Sequence, residues 1–190
     1  MRVMSHDDRL VILLAQLDSA WGLLEARLAG MTDAEYLWEP VPGCWSLRRR
    51  GAGLSASPEG RGEWLLDGES PPPHPPPVTT IAWRLCHIAS GELLRYDWTF
   101  GRHRLEAGDV EWPATARQAV AFLTAAHGRW RSALEGVSTG ELDEVGRSQM
   151  PYGLDPEVRF ADLLAWTNLE LVHHGAEVGC LRDLYRAGLR

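Results

Sequence analysis

Two polar residues, one helical turn apart, interrupt an apolar stripe near the C-terminal end of the sequence. Glu170 and His174 lie among apolar residues that recur at three- and four-residue spacing, which predicts one long helix. The stripe consists of Phe160, Leu163, Leu164, Leu171, Val178, Leu181 and Tyr185. A carboxylate and an imidazole on the buried side of a helix are destabilising unless a partner compensates them. A shared metal ion is one such partner, because residues four apart project from nearly the same side of a helix.

A third ligand is offered by His87, which lies beside the apolar side of another predicted helix. Two ligands from one helix and one from a facing helix make a three-point site in the core of a helical bundle. The set of His87, Glu170 and His174 would leave open positions on the metal, and zinc, nickel, manganese and iron all accept it. The sequence therefore predicts a divalent-metal site.

Neighbouring residues leave alternatives open. Spacing also allows Glu170 to act with His173, but His174 is preferred because it lies within the apolar stripe. Glu177 lies one turn after both histidines and either orients one of them or pairs with Arg182.

A structural role without metal is the competing interpretation. Glu170 and His174 would then form a buried hydrogen-bonded pair that fixes helix packing. We expect Asn168 to be polar surface and Gly91 to leave room for a ligand or for a close helix contact. The remaining histidines are predicted in loops or on the surface, namely His6, His74, His103 and His127. Cys86 and Cys180 are predicted to be small core residues, whereas Cys44 could be exposed.

Four long amphipathic segments and no alternating strand pattern predict an all-α four-helix bundle. We expect one domain over residues 1–190. Capping boxes begin at Thr32 and Thr115. The predicted helices span about 7–29, 81–100, 115–137 and 157–187, with a short helical turn at 32–38.

The connection over residues 39–78 is rich in glycine and proline and is predicted to lack regular structure. Trp38, Trp45 and Trp64 give it apolar surface to bury, so we expect a strap held against the bundle, with residues 48–62 as its most mobile part. Arg48, Arg49 and Arg50 are expected to be solvated.

Composition excludes several functions. The net charge of −7 argues against a nucleic-acid partner, which requires a basic face. The sequence has neither a signal-like N-terminal segment nor a long apolar run, so neither export nor a membrane span is indicated. Three widely spaced cysteines fit a reducing compartment, and we expect a cytoplasmic protein. There is no P-loop, dinucleotide-binding motif, nucleophile elbow or HExxH motif.

Three segments together resemble the DinB-like superfamily, and specifically its actinobacterial-type branch. They are Leu37-Trp-Glu-Pro-Val-Pro-Gly-Cys-Trp-Ser46, Thr79-Thr-Ile-Ala-Trp-Arg-Leu-Cys-His-Ile-Ala89 and the stretch from Glu170 to Tyr185. The resemblance covers essentially the whole chain. It implies a bundle of up-down-down-up connectivity, often dimeric, with metal ligands at His87, Glu170 and His174. The commoner pattern has histidine at all three positions, so Glu170 is a departure that leaves the identity of the metal open.

The resemblance also implies a function. Characterised relatives include thiol-dependent transferases and isomerases, in which the metal activates a low-molecular-weight thiol such as mycothiol or bacillithiol. We therefore expect a small-molecule substrate, with Arg84 or Arg95 binding an anionic group on it. The alternative is a non-enzymatic bundle with an empty site and a structural or partner-binding role.

Overall fold

Four long helices make up most of the molecule. The computed structural model describes residues 8–71, 73–151 and 153–188. In chain order the helices and strands are α1 (Asp8–Leu28), α2 (Asp33–Tyr36), β1 (Leu47–Arg49), β2 (Trp64–Leu66), α3 (Ile81–Phe100), α4 (Ala116–Leu134) and α5 (Phe160–Arg186). Single turns of 3-10 helix cover Ala107–Asp109, Glu141–Asp143 and Asp155–Glu157. None of the helices in the described ranges is long and apolar enough to cross a membrane.

Side-chain caps fix the start of three helices. Thr32, Thr80 and Thr115 each accept a hydrogen bond from the backbone N–H three residues later. This confirms the starts predicted from the two capping boxes, although α2 ends at Tyr36, before the predicted end at residue 38. The predicted first residue of the first helix and His6 lie outside the described residues.

Contacts between helices give the connectivity. Asn168 donates to Leu13 O near the start of both helices, and Arg27 donates to Gly179 O near their ends, so α1 and α5 run parallel. Glu92 meets His127 and Phe100 meets Trp130, so α3 and α4 also run parallel. Arg84 pairs with Glu177 and Arg95 with Asp155, so α3 runs antiparallel to α5. The bundle is therefore up-down-down-up, as predicted.

The strap between α2 and α3 contains regular structure, and the prediction of an irregular connection was wrong. β1 and β2 pair antiparallel, with Leu47 opposite Leu66. The buried Asp67 carboxylate accepts hydrogen bonds from Ser46 N and Leu54 N, which draws both sides of the strap together. Arg48 also donates to Asp67 and is mostly buried, so only Arg49 and Arg50 of the basic run are solvated. Short strands with little alternation gave no signal in the sequence.

The start of the last helix was also placed too early. A 3-10 turn that contains Pro156 precedes it, and Arg159 is extended, so α5 begins at Phe160. Cys180 is exposed, contrary to expectation, whereas Cys86 and Cys44 are buried. Asn168 is not surface, because it is buried and donates to Leu13 O at 2.9 Å. The helix periodicity was correct, but which side of α5 faces a neighbour depends on packing that periodicity alone does not specify.

Candidate metal centre

Helices α3 and α5 bring the three predicted ligands to one point. His87 Nε2 lies 3.4 Å from Glu170 Oε2, and His174 Nε2 lies 3.1 Å from the same oxygen. One ligand atom from each residue can be chosen so that all three lie within 4.8 Å of one another. The two imidazole nitrogens therefore lie close to the same carboxylate oxygen, which is the arrangement expected of three ligands around a small cation.

A second carboxylate fixes the orientation of the His174 ring. Glu177 Oε2 lies 2.7 Å from His174 Nδ1, and only 9 % of the His174 side chain is exposed. A metal ligand would require Nδ1–H to donate to Glu177, so that the lone pair of Nε2 faces the cation. Without a cation, the hydrogen bond to Glu170 requires the proton on Nε2. Arg84 anchors Glu177 through Nε at 2.8 Å and Nη2 at 3.1 Å. Glu177 thus pairs with Arg84, and the alternative pairing with Arg182 was wrong.

The strap positions His87 through Trp83. The His87 ring stacks on Trp83 with centroids 4.8 Å apart and an interplanar angle of 14°. Trp83 Nε1 in turn donates to Asp67 O of the strap at 2.7 Å. The His87 imidazole is therefore held on one face by an aromatic side chain that is itself fixed by the strap.

The electrostatics of the cluster favour a neutral imidazole and an ionised carboxylate. The hydrogen bonds from His174 and His87 hold the pKa of the Glu170 carboxyl far below its usual range. Burial lowers the pKa of the His87 imidazole, and the hydrogen bond to Glu170 offsets this only in part. Both states are those in which the groups can donate electron pairs to a cation.

His173 lies beside this centre without facing it. Its side chain is 60 % exposed, and its Nε2 lies 3.6 Å from Glu177. His173, His174 and Glu177 also form a cluster that could hold a metal, but it lies on the outer side of α5 and shares His174 with the first cluster. Since Glu177 is already bonded to Arg84, we favour the centre that includes Glu170.

A cavity of about 300 Å³ opens beside His87 and Glu170. Its wall includes Glu92 and Arg95 of α3, Thr167 of α5 and Glu59 of the strap. Gly91 also lines it, which favours the interpretation that its missing side chain leaves room for a ligand. Apolar residues contribute to the remaining wall, namely Ile88, Leu94, Ala107, Met150 and Leu171.

Both arginines expected to bind substrate have other partners. Arg84 bonds Glu177 and is not among the residues that line the cavity, so substrate binding by Arg84 stays a prediction that neither observation supports. Arg95 lines the cavity, but its charge is compensated by the buried Asp155 at 3.1 Å.

The sequence-based prediction missed one residue near the cavity, Glu59, and placed another, His127, on the surface. Glu59 gave no signal, because it belongs to an irregular stretch whose position depends on distant contacts. His127 is buried, not on the surface, and its Nδ1 lies 2.9 Å from Glu92 Oε1. It occupies the inner side of α4 in register with Trp130 and Leu123, and helical spacing from those residues could have shown this.

Fold and cluster together define a class of protein, a helical bundle in which two helices bring histidine and carboxylate side chains to one point beside a cavity. A model of the DinB superfamily matches residues 16–178, and the chain belongs to that superfamily. The resemblance to the DinB-like superfamily is thereby confirmed, and the assignment to its actinobacterial-type branch stays a prediction.

Among solved structures, a conserved protein from Enterococcus faecalis is similar, with a TM-score of 0.53 and 17 % identity. The match covers 93 % of this chain and 96 % of that chain, and it supports the fold. No curated protein matches the chain.

Proposed function

We propose that the chain is a cytoplasmic metal-dependent enzyme that transfers or isomerises a small substrate with the help of a low-molecular-weight thiol. His87, Glu170 and His174 hold a divalent metal, and the substrate occupies the adjacent cavity. The convergence of the three ligand atoms within 4.8 Å is the observation that carries the proposal. The thiol rests on the resemblance of the sequence to thiol-dependent relatives.

The residues present fit a divalent cation. Two imidazole nitrogens and one carboxylate oxygen are ligands that zinc, nickel, manganese and ferrous iron accept. Glu177 accepts from Nδ1 of His174, which is the outer hydrogen bond that metal-bound histidines usually make. When bound, such a metal supplies a Lewis acid that lowers the pKa of a thiol.

The protein's own residues contribute orientation and enclosure. Trp83 and Glu177 fix the two imidazole rings, so the ligand set needs little rearrangement when a cation binds. The cavity places a substrate next to His87 and Glu170 and removes part of its surface from water.

Metal uptake tests the proposal. Protein stripped with a chelator is incubated with zinc, nickel, manganese or ferrous iron and analysed by mass spectrometry for metal per chain. We expect uptake of one ion per chain, lost in His87→Ala and His174→Ala. His103→Asn is the matched control, since His103 is an exposed loop residue with φ of 55°, a conformation that asparagine tolerates. A protein that binds none of the four ions contradicts the proposal.

Activity is the second half of the test. The loaded protein is assayed for consumption of mycothiol or bacillithiol in the presence of an electrophile such as chlorodinitrobenzene. We expect turnover with the wild-type protein and His103→Asn, and none with His87→Ala.

A structural role is the second candidate, and a specific contact favours it. Both ring nitrogens of His174 already lie within hydrogen-bond distance of carboxylates, Glu170 on one side and Glu177 on the other. A protonated His174 would then fix the packing of α5 without any metal. In that case added metal leaves the melting temperature unchanged, whereas a ligand of the folded state must raise it.

We also propose a homodimer. Exposed apolar side chains cluster on the outer face of α1 and α5, namely Leu23, Leu169, Val172 and Leu184. The groove between them also contains Arg27 and Asp183, whose charges compensate each other within the chain, so the face can pack against a second copy without an unpaired charge. Light scattering tests this proposal, and Leu23→Asp should give a monomer if the face is the interface.

A further inference from the structure

Glu59 contributes an unpaired carboxylate to the wall of the cavity. Its carboxylate has no hydrogen-bond or ion-pair partner in the described part of the chain, whereas Arg95 is neutralised by Asp155. Glu92 is bonded to His127 through Oε1 at 2.9 Å. Glu170 faces the proposed cation. Glu59 therefore adds an unpaired carboxylate to the cavity wall.

Hydrogen-bond acceptors outnumber donors on the cavity wall. Ser90 Oγ donates to His87 O at 3.0 Å and Thr167 Oγ1 donates to Leu163 O at 2.9 Å, so both hydroxyls present only lone pairs to a ligand. Glu92, only 2 % exposed, lines the cavity, and its Oε2 has no hydrogen-bond partner among the described residues. Such an oxygen is destabilising unless a donor reaches it.

The strap holds the backbone of Glu59 in place. Glu59 N donates to Leu66 O and Leu66 N donates to Glu59 O, both at 2.9 Å. Trp112 Nε1 donates to Glu59 O at 2.8 Å. Glu59 is exposed and lines the cavity, so it lies where the cavity opens to solvent. The backbone of Glu59 is therefore fixed relative to the cavity, while its carboxylate remains available to a ligand.

We infer that the cavity binds a small organic amine, with the protonated amino group beside Glu59, its remaining donors near Glu92 and its apolar body against Ile88, Leu94 and Leu171. The inference deepens the proposed function and rests on it for the position of the reacting atom, which lies at the metal. A cavity of about 300 Å³ suits a ligand of this kind.

The proposed amine gives Glu59 the partner that it lacks. Partial desolvation raises the pKa of the Glu59 carboxyl above its ordinary value, although the residue is exposed. An anionic ligand would add a second negative charge to the same wall. Among the described residues that line the cavity, the only cationic side chain is Arg95, whose Nη1 lies next to Gly91, and Asp155 already compensates its charge.

The first test needs no metal. Stripped, isotope-labelled protein is titrated with propylamine and, separately, with propionate, while amide signals of Gly91 and Glu92 are followed by NMR. We expect propylamine to shift these signals and propionate to leave them unchanged, with the effect lost in Glu59→Gln. Glu63→Gln is the matched control, since Glu63 belongs to the same strap but pairs with Arg49 away from the cavity. Equal shifts from both compounds, shifts from propionate alone, or none at all would overturn the inference.

The second test uses cobalt-loaded protein and two thiols of similar length, cysteamine and 3-mercaptopropionate. The thiolate-to-cobalt absorption band reports binding of each. Since the intrinsic affinity of each thiol for the metal is the same in both proteins, comparing Glu59→Gln with wild type isolates the carboxylate. We expect the substitution to weaken cysteamine binding about fivefold and not to weaken 3-mercaptopropionate. If Glu59→Gln leaves the ratio of the cysteamine affinity to the 3-mercaptopropionate affinity unchanged, the amine assignment is overturned.

The two tests separate the two claims. A protein that takes up no cobalt but still prefers propylamine contradicts the proposed function and retains the amine site. If the protein takes up cobalt and Glu59→Gln changes the affinity for neither thiol, the result supports the metal centre and contradicts the amine site.

Discussion

Arg182 of α5 donates hydrogen bonds to both carboxylate oxygens of Glu35 of α2, from Nε to Oε1 at 2.6 Å and from Nη2 to Oε2 at 3.1 Å. Both side chains are buried, and Arg182 also donates to Ala29 O at the end of α1. The pair joins the turn between the first two helices to the helix that carries two of the proposed ligands. Buried ion pairs contribute little net stability, but loss of one partner leaves an uncompensated charge.

Removal of Glu35 should therefore be far more damaging than removal of a surface charge. We expect Glu35→Ala to lower the free energy of unfolding by about 3–5 kcal/mol, measured by urea denaturation. Asp143→Asn removes the exposed partner of Arg9 and should cost about 0–1 kcal/mol. Similar losses in the two variants would show that the buried pair has no special role.

The same pair predicts a pH dependence. Burial alone would raise the pKa of the Glu35 carboxyl, but the hydrogen bonds and charge of Arg182 outweigh it and hold the pKa below its ordinary value. A lowered pKa contributes stability that is present above the ordinary pKa and is lost as the pH falls through the lower, folded-state value. The stability difference between wild type and Glu35→Gln should thus shrink between about pH 5 and pH 2. A difference that is constant over this range would contradict the assignment.

Glu177 should act as a positioning residue for His174. We expect Glu177→Gln to weaken zinc binding by about 10- to 100-fold, because the outer hydrogen bond fixes the tautomer and basicity of the ligand. Competition with a chromophoric chelator measures the affinity. His173→Gln changes an exposed neighbour of the same carboxylate and should leave zinc affinity nearly unchanged. An equal effect of both substitutions would place the metal on the outer side of α5.

Glu170 should influence the choice of metal. Replacement by histidine restores the commoner ligand pattern, and nitrogen in place of carboxylate oxygen disfavours manganese relative to zinc or nickel. We expect Glu170→His to retain zinc and to bind manganese more weakly than the wild-type protein does. Metal analysis after competition between zinc and manganese checks this. An unchanged ratio of bound zinc to bound manganese would show that Glu170 is not a ligand.

Gly91 offers a test that separates stability from ligand space. A Cβ at this position would meet Arg95 Nη1 at 3.5 Å, an ordinary contact. We expect Gly91→Ala to stabilise α3 by about 0.5–1 kcal/mol while narrowing the cavity and weakening propylamine binding. Gly101→Ala is the contrasting variant, because its Cβ would lie 2.8 Å from Asp97 Cα and should destabilise the helix end.

Much of the bundle could be predicted because local rules determine it. Helical spacing located α1, α3, α4 and α5, and threonine caps located two helix starts. The same spacing selected His87, Glu170 and His174, whose polarity conflicted with their apolar surroundings. These three residues do meet in space, although the metal itself stays a prediction.

The remaining features depend on contacts between distant parts of the chain. Glu35 and Arg182 are 147 residues apart, and nothing local to either predicts the pairing. Glu59 reaches the cavity only because β1 and β2 pair and Trp112 holds its carbonyl. Asn168 is buried because its side of α5 faces α1, and Cys180 is exposed because its side faces solvent. Helical periodicity alone does not determine these orientations when apolar residues occur on several sides of a helix.

The hydrogen bond from Trp83 to Asp67 makes the strap and the proposed ligand His87 thermodynamically linked. Any cation that selects one orientation of the His87 ring also selects the strap conformation that supports it, and by reciprocity an ordered strap raises the affinity for the cation. The strap also carries Glu59, so a cation bound at one end of the cavity would increase the preorganisation of the other end for the proposed amine. Occupancy at either end would then be reported at the other by slower amide exchange in the strap.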